Sequence, residues 1–211
     1  MTKLWTFGDS FTQGYIRASL WADQYINWKS YTPKIFSEII SSELGIELVN
    51  KGVGGYDNNS IFESICVNVK NIKKNDIILI GWSDVVRFRL TTKTNDWQCF
   101  TVESKYNLNR MENIAENTLN EIFVNRENPL YIKEIENWMN IIDMAFKDNI
   151  VLYWSSFIRD IKKCHYIDEC ENIYQETDGE INDFHLSENG QKKLADFFIK
   201  KLELLQIKKI H

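Results

Sequence analysis

Ile77-Ile78-Leu79-Ile80 is an unbroken apolar run, with Asn75-Asp76 in front of it and Gly81 behind. A strand with one wet face alternates apolar and polar side chains. A continuous run needs cover on both faces, as parallel strands between helices have. Ile150-Val151-Leu152-Tyr153-Trp154 repeats the pattern, and Leu4-Trp5-Thr6-Phe7 and Ile46 to Val49 read as two further short strands. Helical spacing fills the intervals. Phe36, Ile39, Ile40 and Leu44 follow a Thr32-Pro33 start and stop at Gly45. Ile61, Phe62, Ile65 and Val69 follow Asn58 or Asn59 as a cap, and Ile132, Ile135, Trp138, Met139, Ile142 and Phe146 follow Asn128-Pro129. Ser187 caps a last helix whose inner face is Leu194, Phe197, Phe198, Leu202 and Leu205. This alternation predicts an α/β fold, with a mostly parallel sheet of four or five strands covered by helices on both faces.

With 211 residues and no Pro/Ser/Gly-rich linker, the chain fits one domain over 1–211. Residues 87–128 are long for a connection and read as an insertion or lid, with a helix near Met111 to Phe123 and a small hairpin before it. Residues 158–182 hold either a short edge strand or a loop. A net charge of −5 argues against nucleic-acid binding, which needs clustered Lys and Arg. No run approaches the ~18 apolar residues of a membrane span, and the N-terminus lacks a basic region followed by an apolar one. Cys66, Cys99, Cys164 and Cys170 have no metal-ligand spacing. The expectation is a cytoplasmic protein with free thiols, no metal and no organic cofactor, its oligomeric state open.

Gly8-Asp9-Ser10 turns away from the carboxyl end of the first strand, where open α/β sheets place their reacting groups. A serine hydroxyl needs a base within hydrogen-bond reach to act as a nucleophile at neutral pH. The chain has three histidines. His211 is terminal, and His165 sits in a polar stretch with no evident helper. His185 has Asp183 two residues before it, on the same side of an extended segment and able to reach the far ring nitrogen. Ser10, His185 and Asp183 are therefore the candidate nucleophile, base and orienting acid, in one of several chain orders that build this constellation.

Four segments resemble the SGNH, or GDSL, hydrolase family: Gly8-Asp9-Ser10, Asn50-Lys51-Gly52-Val53-Gly54-Gly55, Gly81-Trp82-Ser83-Asp84 and Asp183-Phe184-His185-Leu186. The resemblance implies a three-layer α/β/α sandwich with a flavodoxin-like sheet and a serine esterase mechanism. It also implies an oxyanion hole from the N–H groups of Ser10 and Gly55 and a third donor at position 83. Serine stands there where the family has asparagine, so either Ser83 donates, Asn58 or Asn59 takes over, or activity is low. The family's commoner Asp-x-x-His spacing would put Asn182 at the acid position. If neither Asp183 nor Asn182 reaches the ring, Ser10 and His185 form a dyad.

Other positions carry weaker expectations. Asp9 reads as a structural hydrogen-bonder in the turn or a substrate contact, and Asn58 as a substrate contact. Trp82 reads as a wall of the acyl pocket. Arg87 reads as a group for an acidic substrate, or as a partner of Asp84 or Glu103. Trp5, Trp138 and Trp154 read as core; Trp21, Trp28 and Trp97 could line a cleft. The leading function is removal of short acyl (acetyl) groups from a carbohydrate or other small alcohol through an acyl-enzyme. The alternatives are an O-acyltransferase on a sugar acceptor and a non-catalytic carbohydrate-binding module.

Overall fold

The computed structural model describes residues 2–85, 87–91, 97–100, 129–159, 161–167 and 170–210. Five strands, β1 (Lys3–Phe7), β2 (Glu47–Asn50), β3 (Ile77–Trp82), β6 (Ile150–Ser155) and β7 (Cys164–Tyr166), form one sheet in the order β2-β1-β3-β6-β7. Every pairing is parallel, with Trp5 opposite Ile78, Leu79 opposite Leu152 and Trp154 opposite His165. The order is that of the flavodoxin-like, doubly wound sheets.

Strand periodicity sends alternate side chains to opposite faces. Trp5, Phe7, Ile78, Ile80, Trp82 and Tyr153 meet α4 (Asn58–Asn68) and α5 (Pro129–Ala145) on one side. Leu4, Ile77, Leu79, Leu152 and Trp154 meet α3 (Phe36–Leu44) and α7 (Glu188–Ile210) on the other. That is the expected α/β/α sandwich. All six residues of β3 are buried, which is why its sequence shows no alternation. Fully burying one such apolar side chain contributes ~1.5–3 kcal/mol.

Helix starts differ from the sequence reading by a residue or more. The cap of α4 is Asp57, whose Oδ1 accepts from Ser60 N–H at 2.9 Å. At α3 the Glu38 carboxylate accepts from Ile35 N–H at 3.0 Å. Ser187 does cap α7, accepting from Gly190 N–H at 3.1 Å. The stretch before Thr32 contains α1 (Ser10–Gln13) and α2 (Leu20–Lys29). Residues 158–182 contain the edge strand β7 and the single turn α6 (Ile173–Glu176). Within 87–128, β4 (Phe88–Thr91) and β5 (Trp97–Phe100) pair antiparallel; the helix expected at 111–123 lies outside the described residues. No helix among the described residues is long and apolar enough to cross a membrane.

Candidate active site

Ser10 begins α1 directly behind β1. Asp9 is the cap of that turn: its Oδ1 accepts from Phe11 N–H at 3.0 Å. The strand-to-helix bend is closed enough that a Cβ at Gly8 would lie 2.1 Å from Thr12 Oγ1 and 3.0 Å from Gly81 O, so only glycine fits.

The segment from Asp183 to Ser187 is held by main-chain bonds to its neighbours. Tyr174 N–H donates to Asp183 O and Ile173 N–H to His185 O, both at 2.9 Å, and Ser187 N–H donates to Glu171 O at 3.0 Å. Tyr15 adds its hydroxyl to Leu186 O at 2.8 Å. His185 Nε2 then lies 2.8 Å from Ser10 Oγ, and its Nδ1 lies 2.7 Å from Asp183 Oδ1. The same carboxylate oxygen accepts the His185 main-chain N–H at 2.8 Å. Asn182, at the commoner family spacing, is exposed. The faces of the imidazole are also occupied, by the indole of Trp21 (centroids 3.9 Å apart, 3° between planes) and by Phe11 (4.7 Å, 26°). Sequence reasoning missed both contacts, because neither ring follows from a motif.

The glycine loop after β2 lies against α1. Asn50 ties it down, with Oδ1 accepting from Gly52 N–H at 2.9 Å and Nδ2 donating to Thr12 O at 3.0 Å. Gly54 N–H donates to Gln13 Oε1 at 2.8 Å, and a Cβ on Gly54 would stand 3.7 Å from Ser10 Cβ. Gly55 follows with φ +82°, a conformation L side chains rarely adopt, and nothing lies within 4 Å of where its Cβ would be. Neither the Gly55 nor the Ser10 N–H has a hydrogen-bond partner among the described residues.

Behind β3, the geometry departs from the sequence expectations. Ser83 is wholly buried. Its one hydroxyl proton goes to Asp9 Oδ2 at 2.8 Å, and its main-chain N–H and C=O are both held by Asn58, at 2.7 and 3.0 Å. Ser83 is thus turned inward, because the neighbouring carboxylate is the stronger acceptor. Arg87 donates from its guanidinium to Asp9 Oδ2 at 2.9 Å, with that group 5.9 Å from the Phe157 ring centroid, and from its main-chain N–H to Asp84 O at 3.1 Å. Arg89 pairs with Glu63. Asp9 is almost fully buried and serves the turn rather than solvent. Trp82, expected as a pocket wall, is 2% exposed and packs in the core against Tyr153 and Trp138, because strand alternation points it away from the Ser10 rim. Trp28 is partly exposed and bonds Glu180, while the side chain of Trp97 lies outside the described residues. Among the described residues, no group of three or more His, Cys, Asp or Glu side chains converges to hold a metal.

The family model described as GDSL-like Lipase/Acylhydrolase matches residues 4–198. No curated protein matches the chain in sequence. Among solved structures, the chain is similar to a protein of the G-D-S-L family from Desulfitobacterium hafniense DCB-2, at 16% identity over 93% of this chain and 97% of that one, with a TM-score of 0.40. It is also similar to a carbohydrate esterase whose active site displays divergent catalytic and non-catalytic binding functions, at 15% identity over 96% of this chain and 68% of that one, with a TM-score of 0.46.

Proposed function

This chain belongs to the GDSL-like lipase/acylhydrolase family and is an ester-hydrolysing enzyme, and from that premise we propose that Ser10, His185 and Asp183 carry the reaction through an acyl-enzyme. The observation that carries the reading is the 2.8 Å contact between Ser10 Oγ and His185 Nε2, continued to Asp183 at 2.7 Å. Ser10 Oγ attacks the ester carbonyl carbon while its proton passes to His185 Nε2. The tetrahedral oxyanion is met by the N–H groups of Ser10 and Gly55. As the carbon–oxygen bond to the alcohol breaks, His185 returns the proton to the departing oxygen. A water then attacks the acylated Ser10 along the same route, with His185 first taking and then giving a proton. Asp183 keeps the Nδ1 proton in place and stabilises the imidazolium.

Asn58 is the proposed third donor in place of Ser83. Its Nδ2 gives one hydrogen to Ser83 O, and the second remains for the substrate. We take residues 1–211 as a single domain with an insertion at 87–128. Its first residue, Arg87, bonds Asp9 next to the nucleophile. A cleft of about 20 Å³ adjoins both Asn58 and Arg87, lined further by Tyr131, Glu134 and Trp138. The amide, phenol, carboxylate and indole around it suit a sugar, which supports a carbohydrate ester as substrate. The inward-turned Ser83 favours a second reading, a carbohydrate-binding module that has lost catalysis.

One experiment separates these readings. The protein is treated with a fluorophosphonate probe and assayed on p-nitrophenyl acetate, alone and with a sugar acceptor, for wild type, Ser10→Ala and His185→Ala. Labelling and turnover should be present in wild type and lost in both variants. Labelling that persists in Ser10→Ala refutes the nucleophile, and absence of labelling in wild type favours the binding module. An acetylated sugar as the main product identifies an acyltransferase.

A further inference from the structure

We propose that Trp21 is a positioning residue for the reaction, holding the His185 imidazole in its working plane from above; this rests on His185 being the base. The in-plane geometry of the ring is fixed by two hydrogen bonds, to Ser10 and to Asp183. Hydrogen bonds resist rotation poorly out of plane, and there the aromatic faces act. The Trp21 centroid lies 3.9 Å from that of His185 with planes 3° apart, and Phe11 lies 4.7 Å away at 26°. Two rings at these distances cannot share one face of an imidazole, so His185 is clamped between them.

The face of an indole is electron-rich and attracts a cation. His185 is neutral before attack and becomes an imidazolium as the tetrahedral intermediate forms. The Trp21 contact therefore strengthens along the reaction coordinate, which is the condition for it to raise turnover rather than binding alone.

Helix α2, which carries Trp21, is fastened to the His185 segment at both ends. Tyr15 packs its ring against Trp21 at 5.9 Å and donates to Leu186 O at 2.8 Å. Tyr25 Oη accepts from Glu188 N–H at 2.8 Å and donates to Glu176. Lys29 pairs with Glu176 and, at 3.0 Å, with Glu188. Glu176 precedes His185 in the chain and Glu188 follows it, so these bonds hold Trp21 and the imidazole in register. Among the described residues, the ionisable side chain that bonds the His185 ring is Asp183.

The test uses the intact chain and two readouts. A protonated imidazole stacked on an indole quenches its emission, so tryptophan fluorescence should fall as His185 takes up a proton. That component should disappear in both Trp21→Phe and His185→Asn. A quench that survives in both comes from elsewhere, for example His165, and would mean the stack is absent. In parallel, kcat and KM on p-nitrophenyl acetate, the rate of fluorophosphonate labelling and the melting temperature are compared for Trp21→Ala and Trp21→Phe. Trp21→Ala should lose roughly 10- to 100-fold in kcat and labelling rate with KM little changed, and Trp21→Phe should recover most of it. Wild-type kcat in a folded Trp21→Ala overturns the positioning role, as does a loss that phenylalanine fails to repair. A wild type that shows the quench but never reacts with the probe removes the parent reading, and the positioning role with it.

Discussion

Asp9 takes a main-chain N–H on one oxygen and both Ser83 and Arg87 on the other, all within 3.0 Å. A buried carboxylate beside the proposed nucleophile would repel an oxyanion unless cations or hydroxyls neutralise it, and these two partners do so. Ser83→Ala should therefore act on stability, by about 1–2 kcal/mol, and leave kcat within roughly 10-fold. A loss of roughly 100- to 1,000-fold in kcat would instead make Ser83 an oxyanion donor. Asp183 poses a different problem at the same scale. One of its oxygens takes both the ring and the main-chain N–H of His185, and a carboxamide oxygen can occupy that place. Asp183→Asn should keep the tautomer and lose only the charge, about 10-fold in kcat, while Asp183→Ala should lose roughly 100-fold or more. Equal losses in steady-state kcat for the two variants would contradict this account.

Helix α2 explains what the sequence concealed among the elements. Its buried side chains are Ala22, Tyr25 and Ile26, while Leu20 and Trp28 are exposed, so no apolar stripe announces it. What holds it is polar and distant in sequence: Tyr25 and Lys29 reach Glu176 and Glu188, some 150 residues further on. By contrast, β3 and β6 were legible because burial on both faces leaves an unbroken apolar run, and α7 because Ser187 caps it. The three-residue β7 has too little length to carry a pattern. The staple itself has a pH signature. The Tyr31 hydroxyl, with Lys192 and Lys29, outweighs burial and holds Glu188 down at about 2. Burial works against the charge of Glu176, but Lys29 and Tyr25 outweigh it and lower that pKa as well. Folded values below the unfolded ones mean stabilisation that is complete above pH ~4.5 and is lost as pH falls toward the folded values. Lys29→Met should thus melt below wild type at pH 7, with a gap that narrows as pH is taken below 4.5 in thermal melts. A gap of constant size would show that the ion pairs are not its source.

Across the whole molecule the sheet divides labour between its two edges. At the carboxyl edge stand Ser10 after β1, the glycine loop after β2 and Ser83 after β3. Ser10 and the glycine loop could be recognised from sequence because their chemistry requires particular residues near strand ends. The inward turn of Ser83 and the Asp9–Arg87 pair could not, since they depend on which neighbours packing brings within 3 Å. At the amino edge stands Asp76, which is 1% exposed. It accepts from Lys3 N–H at 2.9 Å, Trp5 Nε1–H at 3.0 Å and Lys73 N–H at 2.8 Å, so it joins β1 to the start of β3. Removing that carboxylate leaves three donors facing each other without an acceptor, at a cost of about 3 kcal/mol. For a chain of this size that corresponds to a fall in melting temperature of roughly 6–12 °C. The proposed reacting groups lie at the other end of the strands, held by bonds that Asp76 does not share. Asp76→Ala should therefore lower the melting temperature while the folded fraction keeps its kcat and its rate of fluorophosphonate labelling. A variant that melts like wild type, or one whose folded fraction turns over several-fold more slowly, would show that the two edges are not independent.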